Sequence, residues 1–162
     1  NEELREYPSV HQNFVKDMYQ ALLKAKEKLD KYQQLILIFP GFKEPFGMVE
    51  GFLKFCKEFN FGHEVIVDFE VRTIAVGNVY IIPNDRHLVQ VIEQSKKQQL
   101  RIGQDFGIIS YNDTPLKKVV ENGITTISTD FKAMGARLTE MIFTNKKEQM
   151  ENQSQLIIRA SL

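Results

Sequence analysis

A run of five apolar residues, Leu35-Ile36-Leu37-Ile38-Phe39, narrows the choice of fold more than anything else in the chain. It is too short for a helix, and it leaves no polar face for a one-sided strand. It fits a strand buried on both faces, the environment of a parallel sheet with helices on each side. Pro40-Gly41 ends it. Val65-Ile66-Val67 and Val79-Tyr80-Ile81-Ile82 have the same character, and Pro83 stops the second.

Helical patterns separate these runs. Phe14, Met18, Leu22 and Leu29 recur at helical spacing, which predicts a helix from about Phe14 to Lys31. Met48, Phe52, Phe55, Cys56 and Phe59 predict a second, from Pro45 to Phe59. Leu88, Val89 and Ile92 predict a third, from Arg86 to Lys97, with Asp85 as its N-cap. Phe106 to Ser110 reads as a strand. Pro115 to Val120 reads as a short helix capped by Thr114, and Ile124 to Ile127 is extended. Asp130 caps a helix from Phe131 to about Phe143, whose apolar face (Met134, Leu138, Met141) must dock on this domain or on a neighbouring chain. Leu156-Ile157-Ile158 is a last strand. The first ten residues read as a tail or linker, and Thr144 to Gln155 as a surface loop. Strands alternating with helices predict an α/β fold, an open parallel sheet flanked by helices on both faces.

At 162 residues the chain suits one domain, and 43% hydrophobic residues suffice for a core. Lys plus Arg is 21 and Asp plus Glu is 21. A DNA-binding module normally carries a basic surplus, so any DNA binding by a larger protein belongs to another segment. No run approaches the roughly 18 apolar residues of a membrane span, so no membrane partner is expected. No signal-peptide pattern is visible, residue 1 is Asn, and a cytoplasmic fragment of a longer protein is expected. Cys56 lies in an apolar helical stretch and reads as a buried hydrophobe.

In open parallel sheets, ligands sit beyond the carboxyl ends of the strands. Asp68 and Phe69 follow Val67, Asn84 and Asp85 follow Pro83, and Tyr111, Asn112 and Asp113 follow Ser110. Amides and carboxylates bind hydroxyl groups, and an aromatic face packs on a sugar's C–H face. The set points to a neutral polyhydroxy ligand. Each residue also has a simpler role: Asp85 and Asp113 as caps or turn residues, Asn84 and Asn112 as turn formers, Phe69 as core. Enzymatic signals are thin. His11, His63 and His87 are scattered, no Gly-x-Ser-x-Gly elbow occurs, and Pro40-Gly41-Phe42-Lys43 is too poor in glycine to cradle phosphate. Asp68 after an apolar strand fits a receiver phospho-acceptor, but the acidic pair that role needs is absent after Phe39. No enzyme and no cofactor are expected.

The stretch Ile102-Gly103-Gln104-Asp105-Phe106-Gly107-Ile108-Ile109-Ser110-Tyr111-Asn112-Asp113-Thr114-Pro115-Leu116 resembles the LacI/GalR-type effector domain, a periplasmic-binding-protein-like fold. Ile124-Thr125-Thr126-Ile127, Asp130-Phe131, Met134-Gly135, Leu156-Ile157-Ile158-Arg159-Ala160-Ser161, Asn84-Asp85 and Glu50-Gly51-Phe52 are similar to the same family in order. The resemblance runs from about Asn13 to the end. It implies two α/β lobes joined by three crossovers, of which this chain would hold mainly the second lobe. Residues 1–13 would be a linker or crossover from a missing first lobe, and the DNA-binding domain would precede it. The Ser110-Tyr111-Asn112-Asp113 variant is similar to regulators that join a GntR-type winged helix to such a sensor. The resemblance places Asn13, Asp68, Phe69, Asn84 and Asn112 at the effector. It implies a small sugar-like effector, DNA contact only through the separate N-terminal domain, and a homodimer. Met48 stands where the family often has Arg, and Asn112 where it has Asp, so the cleft would be less charged. A periplasmic sugar-binding protein of a transporter, which shares the fold, is the alternative.

Overall fold

The structure, a computed structural model, describes residues 7–41 and 43–162. Its elements, in order, are β1 (Ser9–His11), α1 (Phe14–Leu29), β2 (Gln34–Ile38), α2 (Gly47–Glu58), β3 (Gly62–Ile66), β4 (Asn78–Ile82) and α3 (Asp85–Lys97). There follow β5 (Gly107–Tyr111), α4 (Pro115–Val119), a 3-10 turn (Val120–Asn122), β6 (Thr125–Thr129), α5 (Phe131–Thr144), β7 (Gln149–Glu151) and β8 (Ser154–Ile157).

Six strands form the main sheet, in the order β3-β2-β4-β5-β6-β8. The first five run parallel, and β8 closes the sheet antiparallel to β6, with Ile127 opposite Leu156. The two-residue period of β2 explains its unbroken apolar run. Leu35 and Leu37 enter a core with Met18, Leu22, Phe52 and Phe55 of α1 and α2. Ile36 and Ile38 enter the opposite core, with Tyr80, Leu88, Val91 and Phe106. The expected α/β sandwich is present, and Cys56 is buried in it.

Several expectations need correction. Asn84, not Asp85, caps α3: its Oδ1 accepts from the Arg86 amide at 2.9 Å. An amide serves here because Asn, like Asp, offers the oxygen an N-cap needs. No helix joins β3 to β4. Instead a loop over 67–77 crosses β2, tacked down by buried Phe69 and Ile74 and by both amide ends of Gln98, which bond the Ile74 backbone. The expected surface loop of 144–155 contains β7 and the start of β8. The expected linker contains β1, which pairs parallel with β7 in register Ser9 to Gln149. Residues 1–6 of that linker, and Phe42 of the Pro40-Gly41-Phe42-Lys43 phrase, lie outside the described residues.

The β1–β7 pair and α5 form a small unit beside the main sheet. Of α5, only Met141 is buried, and Leu138, Ile142 and Phe143 remain exposed. Among the described residues, no helix is long and apolar enough to cross a membrane.

Candidate functional site

The strand after β2, β3, lies on one side of it and β4 on the other. This reversal opens a crevice at the carboxyl ends of β2 and β4, because α2 and α3 leave toward opposite faces. A cavity of about 230 Å³ lies at this edge of the sheet. Lys43, Glu44 and Pro45 line it from the β2–α2 connection, Met48 from the first turn of α2, Pro83 from the end of β4, and Tyr111 and Asn112 from the end of β5. Gln12 and Phe14 close it from the entry to α1, and Phe131 from the entry to α5.

Asn84 joins the two sides of the crevice. Its side-chain nitrogen donates to Glu44 Oε1 at 3.3 Å, while its oxygen caps α3. Burial pushes the Glu44 carboxyl up. The bond from Asn84, backbone amides at Glu44 and Lys43, and nearby His87 outweigh that and hold it below the usual glutamate range. Glu44 is therefore an ionised acceptor at the rim. His87 is buried, and its Nδ1 has no protein partner. Asn112 sits at φ 58°, a left-handed conformation that asparagine tolerates better than most residues, and its amide donates to Ile127 O at 2.8 Å. Met48 is buried, so no cationic fork enters from that position.

Of the residues singled out from the sequence, Asn112 lines the cavity and Asn84 adjoins it through Glu44. Asn13 instead caps α1, accepting from the Lys16 amide at 3.1 Å, and donates to Glu151 at 3.0 Å. Asp68 lies exposed in the loop after β3, accepting from the Glu70 amide. Phe69 is buried edge-on against Tyr80, and it borders a different groove, shared with Gln34 and Asn78 at the starts of β2 and β4. Sequence reasoning missed Gln12, Phe14, Lys43, Glu44 and Phe131. Lys43 and Glu44 could have been found by treating the end of β2 like the other strand ends.

Beside the cavity, three crossing segments connect the main sheet to the small unit. They run through Gln12-Asn13, Thr129-Asp130 and Glu151-Asn152. Asn152 is buried and binds two neighbours: its backbone N–H donates to His11 O at 2.8 Å, and its side chain to Asp130 O at 3.2 Å. Gln12 donates to Thr129 Oγ1. Glu151 accepts from Lys16 at 2.6 Å as well as from Asn13, and these bonds hold its carboxyl below the usual range. Asp17 accepts from the Ser154 amide at 3.2 Å, and burial raises its pKa.

Among the described residues, the cavity offers one carboxylate, one ammonium, amide groups and three aromatic rings. Among the described residues, no cluster of three or more His, Cys, Asp or Glu side chains could hold a metal. Burial pushes the Cys56 thiol up to about 12, which leaves it a poor nucleophile.

Comparison with known proteins gives the fold a lineage. Residues 78–162 match the periplasmic binding protein-like domain family. No curated protein sequence matches the chain. The probable maltose operon transcriptional repressor MalR of Staphylococcus aureus is similar in structure, with TM-score 0.77 and 14% identity over 99% of this chain. A regulatory protein of the LacI family from Chloroflexus aggregans gives 0.75 and 18% over 96%. A periplasmic binding protein/LacI transcriptional regulator from Alkaliphilus metalliredigens, complexed with D-xylulofuranose, gives 0.71 and 17% over 97%. The chain spans 64%, 63% and 66% of these proteins respectively. At such identities the likeness is one of fold. With more than half of its residues matched, the chain belongs to the periplasmic binding protein-like domain family, and its structural neighbours are LacI-family transcription regulators.

Proposed function

We infer that this chain is the effector-sensing part of a transcription regulator and that its effector is a small sugar-like molecule. The observation that carries the reading is the convergence of Glu44, Asn112, Phe14 and Phe131 on one cavity at the switch point of the sheet. Amide and carboxylate groups suit hydroxyls, and the rings suit the C–H face of a pyranose or furanose. The D-xylulofuranose held by one structural relative is of this class.

The crossing segments support a closure mechanism. A ligand that bridges this cavity and a second lobe favours the closed arrangement, by its difference in affinity between the two states. Gln12, Asn13, Asp130 and Asn152 carry that motion to the small unit. In a cytoplasmic homodimer, closure would change the spacing of separate N-terminal DNA-binding domains. The described residues lining the cavity do not form the converging nucleophile and base that an enzyme of this fold would need.

The test is a thermal-shift screen with D-xylulose, maltose and D-glucose, on this chain and on a longer chain that includes a first lobe. A binder at about 100-fold its Kd stabilises the folded state by about 2.7 kcal/mol. The expected result is a shift on the longer chain that Glu44→Gln and Asn112→Ala both abolish. Binding that survives both substitutions would place the effector elsewhere.

A further inference from the structure

Lys117 is a buried charge for which the proposed function has no use so far. Its side chain is 4% exposed, although it lies on the five-residue helix α4 at the molecular rim. An ammonium taken out of water costs several kcal/mol unless its protons are bonded. Here three acceptors take them: Tyr111 O at 2.5 Å, Asn112 O at 3.1 Å and Asp85 Oδ1 at 2.7 Å. The partners belong to two different strand ends. Tyr111 and Asn112 close β5 and line the cavity, while Asp85 is the first residue of α3, next to Asn84.

Lysine suits this place because it is a compact point charge with three freely arranged donors. Its backbone fixes it further. The Lys117 amide donates to Thr114 Oγ1, and its carbonyl accepts from Ile124 at 2.8 Å, so α4 cannot slide away from β6. The same two strand ends meet lower down, where Ser110 Oγ donates to Ile82 O at 3.0 Å. Above that bond Lys117 reaches both.

Resting on the effector reading above, we propose that Lys117 is a positioning residue: it fixes the separation of the Asn84 and Asn112 loops without touching the ligand. Asp85 is its counter-charge on the solvent side, 69% exposed. Ligand affinity thus depends on an ion pair that lies outside the cavity.

The experiment compares wild type, Lys117→Met and Asp85→Ala, with Leu29→Ala as a destabilised control, buried at the opposite end of α1 from the cavity-lining Phe14. Amide hydrogen exchange is read by NMR, and Kd is read with D-xylulose, maltose and D-glucose on the longer chain. Lys117→Met should speed exchange of the Asn112 amide about tenfold and weaken the best sugar about tenfold, since carbonyls lose a charged donor. The amides of Leu35 and Leu37 in β2 should keep their rates. Leu29→Ala should lower stability and leave Kd unchanged. Should Lys117→Met fail to fold, Asp85→Ala decides: a weaker shift in the same direction supports the clamp. Unchanged exchange at Asn112 in the variants overturns the proposal. So does faster exchange spread evenly through β2, which marks a merely structural role. If wild type binds none of the sugars, the effector reading falls, and the exchange rates still decide whether Lys117 holds the two loops.

Discussion

Arg159 and Asp113 form a two-pronged ion pair, Nη1 to Oδ1 at 2.7 Å and Nη2 to Oδ2 at 3.0 Å, linking the last turn of the chain to the loop after β5. Nη1 also donates to Ile124 O at 2.8 Å. Both side chains are largely buried, and Thr126 Oγ1 donates to Asp113 Oδ1 at 3.2 Å. Asp113 is thus a structural anchor beside Asn112, not a ligand group. Arg159→Met should cost about 3 kcal/mol, because it leaves a largely buried carboxylate with only the longer ion pair to Lys118 at 3.6 Å. Denaturant unfolding of the two proteins measures it. A cost near that of an exposed pair, under about 1 kcal/mol, would mean the site is wetter than its geometry implies.

The same pair sets an acid dependence. The hydrogen bonds from Arg159 hold Asp113 below the usual aspartate range, against the opposing effect of burial. A carboxyl whose folded pKa is depressed adds stability above its unfolded pKa. That stability is lost as pH falls from the ordinary aspartate value through the depressed one. Asp17 works in the opposite sense: burial raises its pKa, so protonation favours the folded state and its contribution declines as pH rises through the raised value. Asp113→Asn should flatten the acid limb of a stability–pH curve, and Asp17→Asn should steepen it. Urea midpoints from neutral pH into the acid range test both, and identical curves for wild type and Asp113→Asn would refute the assignment.

Gly51 lets α1 and α2 touch. A Cβ there would lie 2.3 Å from Val15 O and 3.0 Å from Met18 Cβ, and backbone cannot yield as a flexible side-chain tip can. Gly51→Ala should therefore destabilise by about 2 kcal/mol, lowering Tm by about 6 °C, despite alanine's better helix propensity. Calorimetry would show it, and an unchanged or higher Tm would mean that the helices separate at little cost.

How much of this was legible depended on burial. β2 and β4 are covered on both faces, so Leu35 to Ile38 and Val79 to Ile82 showed as unbroken apolar runs. Gln149-Met150-Glu151 carries no such signal: among the described residues, β7 pairs with one short strand, β1. The way the β3–β4 loop packs was hidden for a related reason. Phe69 and Ile74 are buried one at a time from a loop, without period. In the cavity, Asn84 and Asn112 were readable because they follow strands directly. Glu44 was harder to see, because Pro40 to Lys43 separate it from the end of β2 in sequence and its bond from Asn84 spans 40 residues. Phe14 and Phe131 looked like ordinary helix starts until the crossing segments brought them together.

Those segments make the last prediction. The small unit of β1, β7 and α5 is tied to the main sheet through them, and Asn152 bonds two of the three. Asn152→Ala removes the side-chain bond to Asp130 O and keeps the backbone bond to His11 O, a loss of about 1 kcal/mol. The effect should be local, because the main sheet keeps its own ladder. Exchange at the Ser9 amide, which donates to Glu148 O at 3.0 Å, should quicken several-fold, while β2 and β4 amides keep their rates. A uniform rise in both sheets would show that the two units unfold together, and that the crossing segments are part of one cooperative core rather than a joint.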